Sequence, residues 1–131
     1  MPEASLSASV NYTAPGGSVV NQTFVAVGSY AASSLGTVDV PSGAGAGASF
    51  SIPLGGVANP IGFAIKNSVG TGVRVKFQGN PTGMWLANNG CILYGNAAGP
   101  AASSPPISAL EVNLIGAQTA PGEISYLIFG D

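Results

Sequence analysis

The sequence predicts an all-β protein: a single antiparallel β-sandwich, jelly-roll-like, with an extended N-terminal arm. Three observations support this fold class. The 131 residues are 46% hydrophobic, which is too apolar for a disordered chain and enough for one buried core. After Ser18, short runs of β-branched and aromatic residues alternate with Gly, Pro, Asn and Ser, as is typical of strands joined by turns. No segment of useful length repeats its apolar residues at the helical period.

A turn signal near residue 17 divides the predicted arm from the predicted sandwich. Residues 1–17 are rich in Ala and Ser and end in Pro15, Gly16 and Gly17, a strong breaker cluster, so we expect an arm rather than a core element. Residues 18–131 are expected to form one sandwich domain with nine short strands. The predicted strands cover residues 19–27, 36–40, 49–54, 61–66, 72–78, 84–87, 91–94, 107–115 and 123–129.

Two of these strands show a clear two-residue alternation. Residues 73–78 place apolar side chains on one face and the basic side chains of Arg74 and Lys76 on the other. Residues 61–66 repeat the scheme, and the Gly-containing segment 67–71 predicts a hairpin in which the two strands pair. The two basic residues either face solvent or pair with acidic groups of a partner protein.

The last predicted strand is apolar on both faces near its end. Ile124, Tyr126 and Ile128 form one face, while Leu127 and Phe129 lie on the other. Such a strand is either central in a sandwich or buried against another subunit.

The charge content excludes several kinds of chemistry. The chain has 3 basic residues, 5 acidic residues and no histidine, so 6% of it is charged, against about a quarter in ordinary soluble domains. Without histidine, an acid–base or metal site lacks its commonest group, and the single Cys91 cannot complete a zinc site or an internal disulfide. We therefore expect no enzymatic activity, no cofactor and no metal, and we expect Cys91 to be a small buried residue.

The remaining chemical patterns are weak. The glycines between residues 43 and 47 lack the Lys-Ser/Thr of a phosphate loop and predict a flexible connection. If the last two predicted strands pair, Glu111 and Glu123 share a face but lie about 13 Å apart, farther than the two carboxylates of a glycosidase.

Three basic residues cannot neutralise a nucleic-acid backbone, and no apolar run approaches the length of a membrane span, so we expect neither direct nucleic-acid binding nor membrane insertion. The first residues lack the features of a signal peptide, which predicts synthesis in the cytoplasm.

Trp85 and Tyr94 are the aromatic residues with two open interpretations. Trp85, the single tryptophan, lies between Met84 and Leu86, which favours a place in the core or at a subunit interface. The alternative is an aromatic platform for sugar, built from Trp85 and Tyr94. The loop of small residues at 95–106 is long enough to serve as a contact loop.

The scarcity of charge also has a positive meaning. A free monomer usually keeps mixed surface charges for solubility, whereas the centres of protein interfaces are depleted in Lys, Glu and Asp. Uncharged polar side chains avoid the penalty of burying an unpaired ion. The composition therefore predicts a subunit that packs permanently among neighbours.

Several stretches carry a resemblance through their order and spacing along the chain: GTVDVP at 36–41, FSIPLGGV at 50–57, IKN at 65–67 leading into VRVK at 73–76, and GEISYLIFGD at 122–131. Over roughly residues 36–131, this pattern resembles small virion proteins of tailed bacteriophages. The resemblance implies a β-rich, often oligomeric subunit that decorates or cements a capsid, or belongs to the head-to-tail or tail apparatus.

Composition and resemblance together predict a non-enzymatic viral structural protein that stabilises the phage capsid as a decoration or cement subunit. The expected partners are the major capsid protein or another virion protein and further copies of the chain, and the expected location is the virion, at the capsid surface. The alternative is a carbohydrate-binding module on a tail or fibre. The candidate interface residues are Arg74, Lys76, Trp85, Tyr94, Leu127 and Phe129.

Overall fold

The computed structural model describes residues 3–58, 60–77, 80–95 and 109–130. These residues form ten β-strands and no helix, which confirms the all-β prediction, and so they hold no helix that could cross a membrane. The strands are β1 (Glu3–Thr13), β2 (Val19–Ser29), β3 (Ala32–Val40), β4 (Ser49–Ile52), β5 (Pro60–Asn67), β6 (Val73–Phe77), β7 (Asn80–Leu86), β8 (Cys91–Gly95), β9 (Leu110–Leu114) and β10 (Gly122–Gly130).

Eight of the strands form two four-stranded sheets in which all neighbours are antiparallel. One sheet has the order β3-β10-β5-β8, and the other has the order β4-β9-β6-β7. The pairing is nested, because β3 pairs with β10, β4 with β9, β5 with β8, and β6 with β7. Except between β6 and β7, every connection from β3 to β10 passes from one sheet to the other.

The two sheets share one hydrophobic core, which gives a sandwich-like fold. In β9, for example, Leu110, Val112 and Leu114 are buried, whereas Glu111 and Asn113 between them face outward. Fully burying a side chain of this size contributes about 1.5–3 kcal/mol relative to leaving it in water. The core side chains are Val40, Ile52, Val57, Phe63, Ile65, Val69, Val73, Val75, Leu86, Leu110, Val112, Leu114, Ile124, Tyr126 and Ile128.

The pairing of neighbouring strands differs from the sequence predictions in two places. The predicted hairpin of β5 and β6 is wrong, since β5 pairs with β10 and β8 while β6 pairs with β9 and β7. The predicted pairing of β9 with β10 is also wrong, so Glu111 and Glu123 belong to different sheets. The reason is the same in both cases: two strands with inward apolar faces can meet across the core as well as side by side.

The N-terminal residues form a hairpin outside both sheets. β1 pairs with β2 from Glu3 to Thr13, and the boundary predicted at residue 17 falls in the turn between these strands. The first strand of the four-stranded sheets begins at Ala32. The sequence prediction lacked β1, because Ala and Ser have low strand propensity and masked the alternation of the larger residues.

The other predicted strands agree with the structure apart from their ends. The largest differences are β7, which begins at Asn80 instead of residue 84, and β3, which begins at Ala32 instead of residue 36. Residues 96–106 of the predicted contact loop lie outside the described residues.

Candidate functional site

The outer face of the sheet β4-β9-β6-β7 brings together three of the predicted interface residues. Trp85 of β7 lies opposite Arg74 of β6, and Arg74 lies opposite Asn113 of β9. Asn113 lies opposite Ser49 of β4, so the four residues form one row across the sheet. We call the surface formed by Ser49, Arg74, Lys76, Trp85, Glu111 and Asn113 the polar face.

A second row on the polar face pairs residues of opposite charge. Lys76 of β6 lies opposite Glu111 of β9, the cross-strand arrangement that favours a charge pair. The amide nitrogen Nδ2 of Asn113 donates to Ser49 Oγ, and this hydroxyl donates to Glu111 Oε1 at 3.2 Å. The carboxylate of Glu111 is thereby tied to the neighbouring strand, and Asn113 Oδ1 is buried with no hydrogen-bond partner among the described residues.

Trp85 is 65% exposed, so of its two predicted places the core is wrong, while a subunit interface stays a prediction. The register explains this outcome: Leu86 pairs with Val73 and points into the core, which turns the preceding residue outward. The indole Nε1 lies 3.2 Å from the position that a Cβ at Gly72 would occupy. The ring therefore leans over the turn that precedes β6 and leaves much of its surface open.

Tyr94 does not join Trp85. Its ring stacks on the buried Phe63 at a centroid distance of 5.3 Å and lies 6.0 Å from Phe77, both on the inner side of the sheets. Because Trp85 projects from the outer face of the other sheet, the two aromatic residues cannot bind one sugar together. Among the predicted platform residues, only Trp85 offers an open aromatic face.

The outer face of the sheet β3-β10-β5-β8 carries a second surface, which is apolar. Leu35 pairs with Leu127, Leu127 with Ala64, and Ala64 with Leu93, so one apolar row crosses all four strands. This row lies in a shallow depression of about 450 Å³ that also includes Thr37, Lys66, Cys91 and Ser125. We call this surface, with the row at its centre, the apolar groove.

Leu127 and Phe129 have different surroundings, although both face the outer side of β10. Leu127 is half-buried in the apolar groove, whereas Phe129 is only 4% exposed because Tyr30 packs against it edge to face at 5.9 Å. Gly62 makes room for the ring of Phe129, since a Cβ at that position would lie 2.6 Å from its Cζ. Phe129 is therefore covered by its own chain.

Cys91 is exposed, and the prediction that it is buried is wrong. β8 is an edge strand, and Ile92 packs against the core, so the side chain before it faces outward. The thiol lies in the wall of the apolar groove.

The hairpin of β1 and β2 supplies a third surface that the sequence interpretation missed. Its register puts Ala8, Val10, Tyr12, Val20 and Phe24 on one face, with Gln22 among them. Val10, Tyr12 and Phe24 are 47%, 54% and 59% exposed. The opposite face carries mostly Ser, Thr and Asn. We call the first side the hairpin's apolar face. In the sequence, the alternation of Val10 and Tyr12 with polar residues was the pattern that indicated a strand with one apolar face.

The glycine-rich segment at 43–47 is tied to the chain near β9. Gly43 N–H donates to Gln118 O at 2.8 Å, and Gly47 N–H donates to Leu114 O at 2.9 Å. These amides therefore have backbone partners and are not directed at an anion.

The three surfaces differ in the side chains that they expose. They are the apolar groove, the hairpin's apolar face and the polar face with the open indole of Trp85. Within the ranges that the structure describes, no three His, Cys, Asp or Glu side chains lie close enough to hold a metal ion. Comparison of the chain with protein-family models, with curated proteins and with solved structures gives no match.

Proposed function

We propose that strands β3 to β10 form a jelly roll, and that its N-terminal arm is the whole hairpin of β1 and β2 rather than residues 1–17 alone. The support is the nested pairing, in which the first strand pairs with the last and successive pairs alternate between the two sheets. One long antiparallel hairpin rolled into two sheets has this order. Eight-stranded jelly rolls are common in viral capsid proteins and lectins.

We propose that the chain is a non-enzymatic structural protein of a tailed-bacteriophage virion, which binds the capsid as a decoration or cement subunit. The observation that carries this proposal is the apolar groove, whose central row crosses the whole sheet and includes Leu35 at 79% exposure. Monomeric proteins rarely leave a contiguous apolar patch of more than roughly a few hundred Å² in water, and patches that exceed this size mark interaction sites. The low charge of the chain supports the same function.

Cementing works by burying this surface across the boundary between capsid subunits. Each Å² of buried apolar area contributes about 25 cal/mol before the cost of association is subtracted. The partner bound in the groove is the major capsid protein or another virion protein. Arg74, Lys76 and Glu111 on the polar face, which is the outer side of the other sheet, supply charged groups for contact with a neighbouring virion protein on that side. The place of action is the capsid surface, after synthesis in the host cytoplasm.

Counting the chain in purified virions tests this proposal. Quantitative mass spectrometry with isotope-labelled peptides is expected to give hundreds of copies per particle. A dozen or fewer copies would assign the chain to the tail instead, and its absence from virions would overturn the proposal.

Adding the purified chain back to particles that lack it tests the role of the groove. We expect the wild-type chain to raise the temperature at which the capsid opens, and we expect Leu35→Ser to remove this effect. Ile115→Ser is the matched control, because Ile115 is an exposed aliphatic residue (41%) outside the groove. Equal behaviour of the two variants would contradict attachment through the groove.

A second candidate function, glycan binding by a tail or fibre module, is favoured by the exposure of Trp85 beside Arg74. An open indole stacks on sugar rings, and the neighbouring guanidinium can donate hydrogen bonds to hydroxyls. Because Trp85 is the single tryptophan, its fluorescence reports binding directly. Glycan binding is expected to disappear in Trp85→Ala and to persist in Phe24→Ala, and binding that survives Trp85→Ala removes this candidate.

A further inference from the structure

We propose that the hairpin's apolar face binds the apolar groove of a second copy of this chain, so that neighbouring subunits exchange their N-terminal arms. This contact and the proposed attachment to a capsid use the same groove, so the groove of one copy holds either the hairpin of a second copy or the capsid. The contact between copies concerns what covers two apolar surfaces that the chain itself leaves open.

The hairpin needs a covering partner for physical reasons. A two-stranded ribbon is marginally stable in water unless its apolar face packs against another element. Val10, Tyr12 and Phe24 are about half exposed or more, so the part of the chain that the structure describes leaves much of these side chains uncovered. Residues 4–38 contain no charged side chain, although exposed strands usually carry charges that prevent unwanted pairing. A ribbon of this kind is suited to permanent contact with another protein surface.

Among the described residues, none from the hairpin lines the chain's own groove, although β1 and β2 approach its edge strand β8. The residues that line the groove come from β3, β5, β8 and β10. Only Tyr30 and Ala31 separate β2 from β3, and both are held in place: Tyr30 packs on Phe129, and Ala31 N–H donates to Gly130 O at 2.8 Å. The base of the hairpin is thereby fixed beside the groove while the apolar face of the ribbon stays open.

The dimensions agree with a stable contact between copies. Strands of 11 residues span about 37 Å, and two paired strands are about 10 Å wide, so one face of the ribbon covers roughly 370 Å². When each of two copies places its hairpin in the groove of the other, two contacts form. Each contact buries this area on the hairpin and again on the groove, so roughly 1,500 Å² is buried in total, the size of a standard specific interface. Because the hairpin base adjoins the groove at Phe129, a single closed contact covers both apolar surfaces of each subunit.

Analytical ultracentrifugation of the purified full chain tests the contact with a pair of matched variants. Phe24 and Val25 are neighbours with 59% exposure each, but they lie on opposite faces of the hairpin. We expect the wild type to form a closed oligomer, and Phe24→Ser to raise its dissociation constant by at least about tenfold. Leu35→Ser in the groove is expected to do the same, whereas Val25→Ser and Ile115→Ser leave the constant unchanged. Circular dichroism checks that each variant keeps its fold.

The native thiol in the groove allows a direct test of the geometry. A Val10→Cys/Cys91→Ala variant, isotopically labelled, is mixed with unlabelled wild type and treated with a short bismaleimide. We expect a covalent product of one labelled and one unlabelled chain. The control Val25→Cys/Cys91→Ala, whose new thiol lies on the other face, is expected to give less than about a tenth of that product.

Three results overturn the proposal: a wild type that stays monomeric at high micromolar concentration, an equal effect of Phe24→Ser and Val25→Ser, or equal cross-linking of the two cysteine variants. None of these measurements uses virions, so a monomeric chain leaves capsid attachment to be decided by the copy number. Absence of the chain from virions likewise leaves the contact between copies standing.

Discussion

Asn67 is the buried polar residue that joins two chain connections in the interior. Its Nδ2 donates to the carbonyls of Leu86 at 3.0 Å and Ala87 at 3.1 Å, and its Oδ1 accepts the Val69 N–H at 2.8 Å. Its backbone also bonds to the turn that follows β7, since Asn67 N–H donates to Gly90 O at 2.9 Å. One side chain therefore satisfies buried backbone groups on both the β5–β6 and the β7–β8 connections, which no apolar residue could do.

Replacing this side chain is expected to be costly. Asn67→Ala removes the side-chain acceptor of the buried Val69 N–H and the amide donor to the Leu86 and Ala87 carbonyls, and should lower the free energy of unfolding by about 2–4 kcal/mol. Asn88→Ala, an exposed asparagine in the neighbouring turn, is expected to change it by less than about 0.5 kcal/mol. Urea denaturation followed by circular dichroism measures both values, and similar losses in the two variants would contradict the role assigned to Asn67.

Gly62 is the second position where a single residue controls packing. A Cβ there would lie 2.6 Å from Phe129 Cζ and 2.9 Å from the backbone oxygen of Tyr94. Gly62→Ala is therefore expected to destabilise the fold by about 1–3 kcal/mol through overpacking. Gly56→Ala is the control, because no atom lies within 4 Å of its Cβ position. Thermal unfolding compares the two, and a Gly62→Ala protein as stable as the control would refute the close packing of Phe129.

Among the elements, the N-terminal hairpin is the one whose stability is separate from the core. Its turn uses Gly16 and Gly17 at φ values of 99° and 92°, in the region that favours glycine, and it is closed by a bond from Ala14 N–H to Ser18 O at 2.7 Å. None of its described side chains belongs to either buried cluster, so its strands open without loss of the sandwich core.

Substitution in this turn should act on the hairpin alone. Gly16→Ala forces a Cβ into the left-handed region and is expected to destabilise the ribbon by about 1–2 kcal/mol. Amide hydrogen exchange should then be faster in β1 and β2 and unchanged in β9 and β10. Gly45→Ala, at a glycine without positive φ and with an open Cβ position, is the control. Faster exchange throughout the molecule would contradict the separation of the hairpin from the core.

On the scale of the whole molecule, the nested pairing makes the C-terminal strand essential. β10 lies between β3 and β5 and contributes Ile124, Tyr126 and Ile128 to the core. β3 therefore lacks its pairing partner until the end of the chain is available, a topology dominated by non-local contacts and slow to fold.

Two deletions test this dependence. A chain without residues 122–131 is expected to remain unfolded, whereas a chain without residues 1–29 is expected to keep the cooperative unfolding of the sandwich. Near-ultraviolet circular dichroism and amide chemical-shift dispersion report the difference. A folded protein without β10, or an unfolded one without the hairpin, would contradict this account.

Local patterns in the sequence were sufficient for the all-β class and for most strands. Alternating apolar residues, with glycine and proline between the runs, predicted the positions of β4, β5, β6 and β8 closely, because a strand places alternate side chains on opposite faces whatever its partner. The same rule placed Arg74 with Lys76 and Leu127 with Phe129 on outer faces of their strands. The low charge of the chain predicted contact surfaces rather than reactive groups.

Only the tertiary structure decided which strands pair and which residues meet. Alternation does not say whether the apolar face of β5 lies beside that of β6 or across the core from it, so the predicted hairpin was wrong. Register turned Trp85 and Cys91 outward and separated Trp85 from Tyr94. The apolar groove joins residues from four strands that are far apart in sequence, and it exists only because non-local hydrogen bonds place those strands side by side.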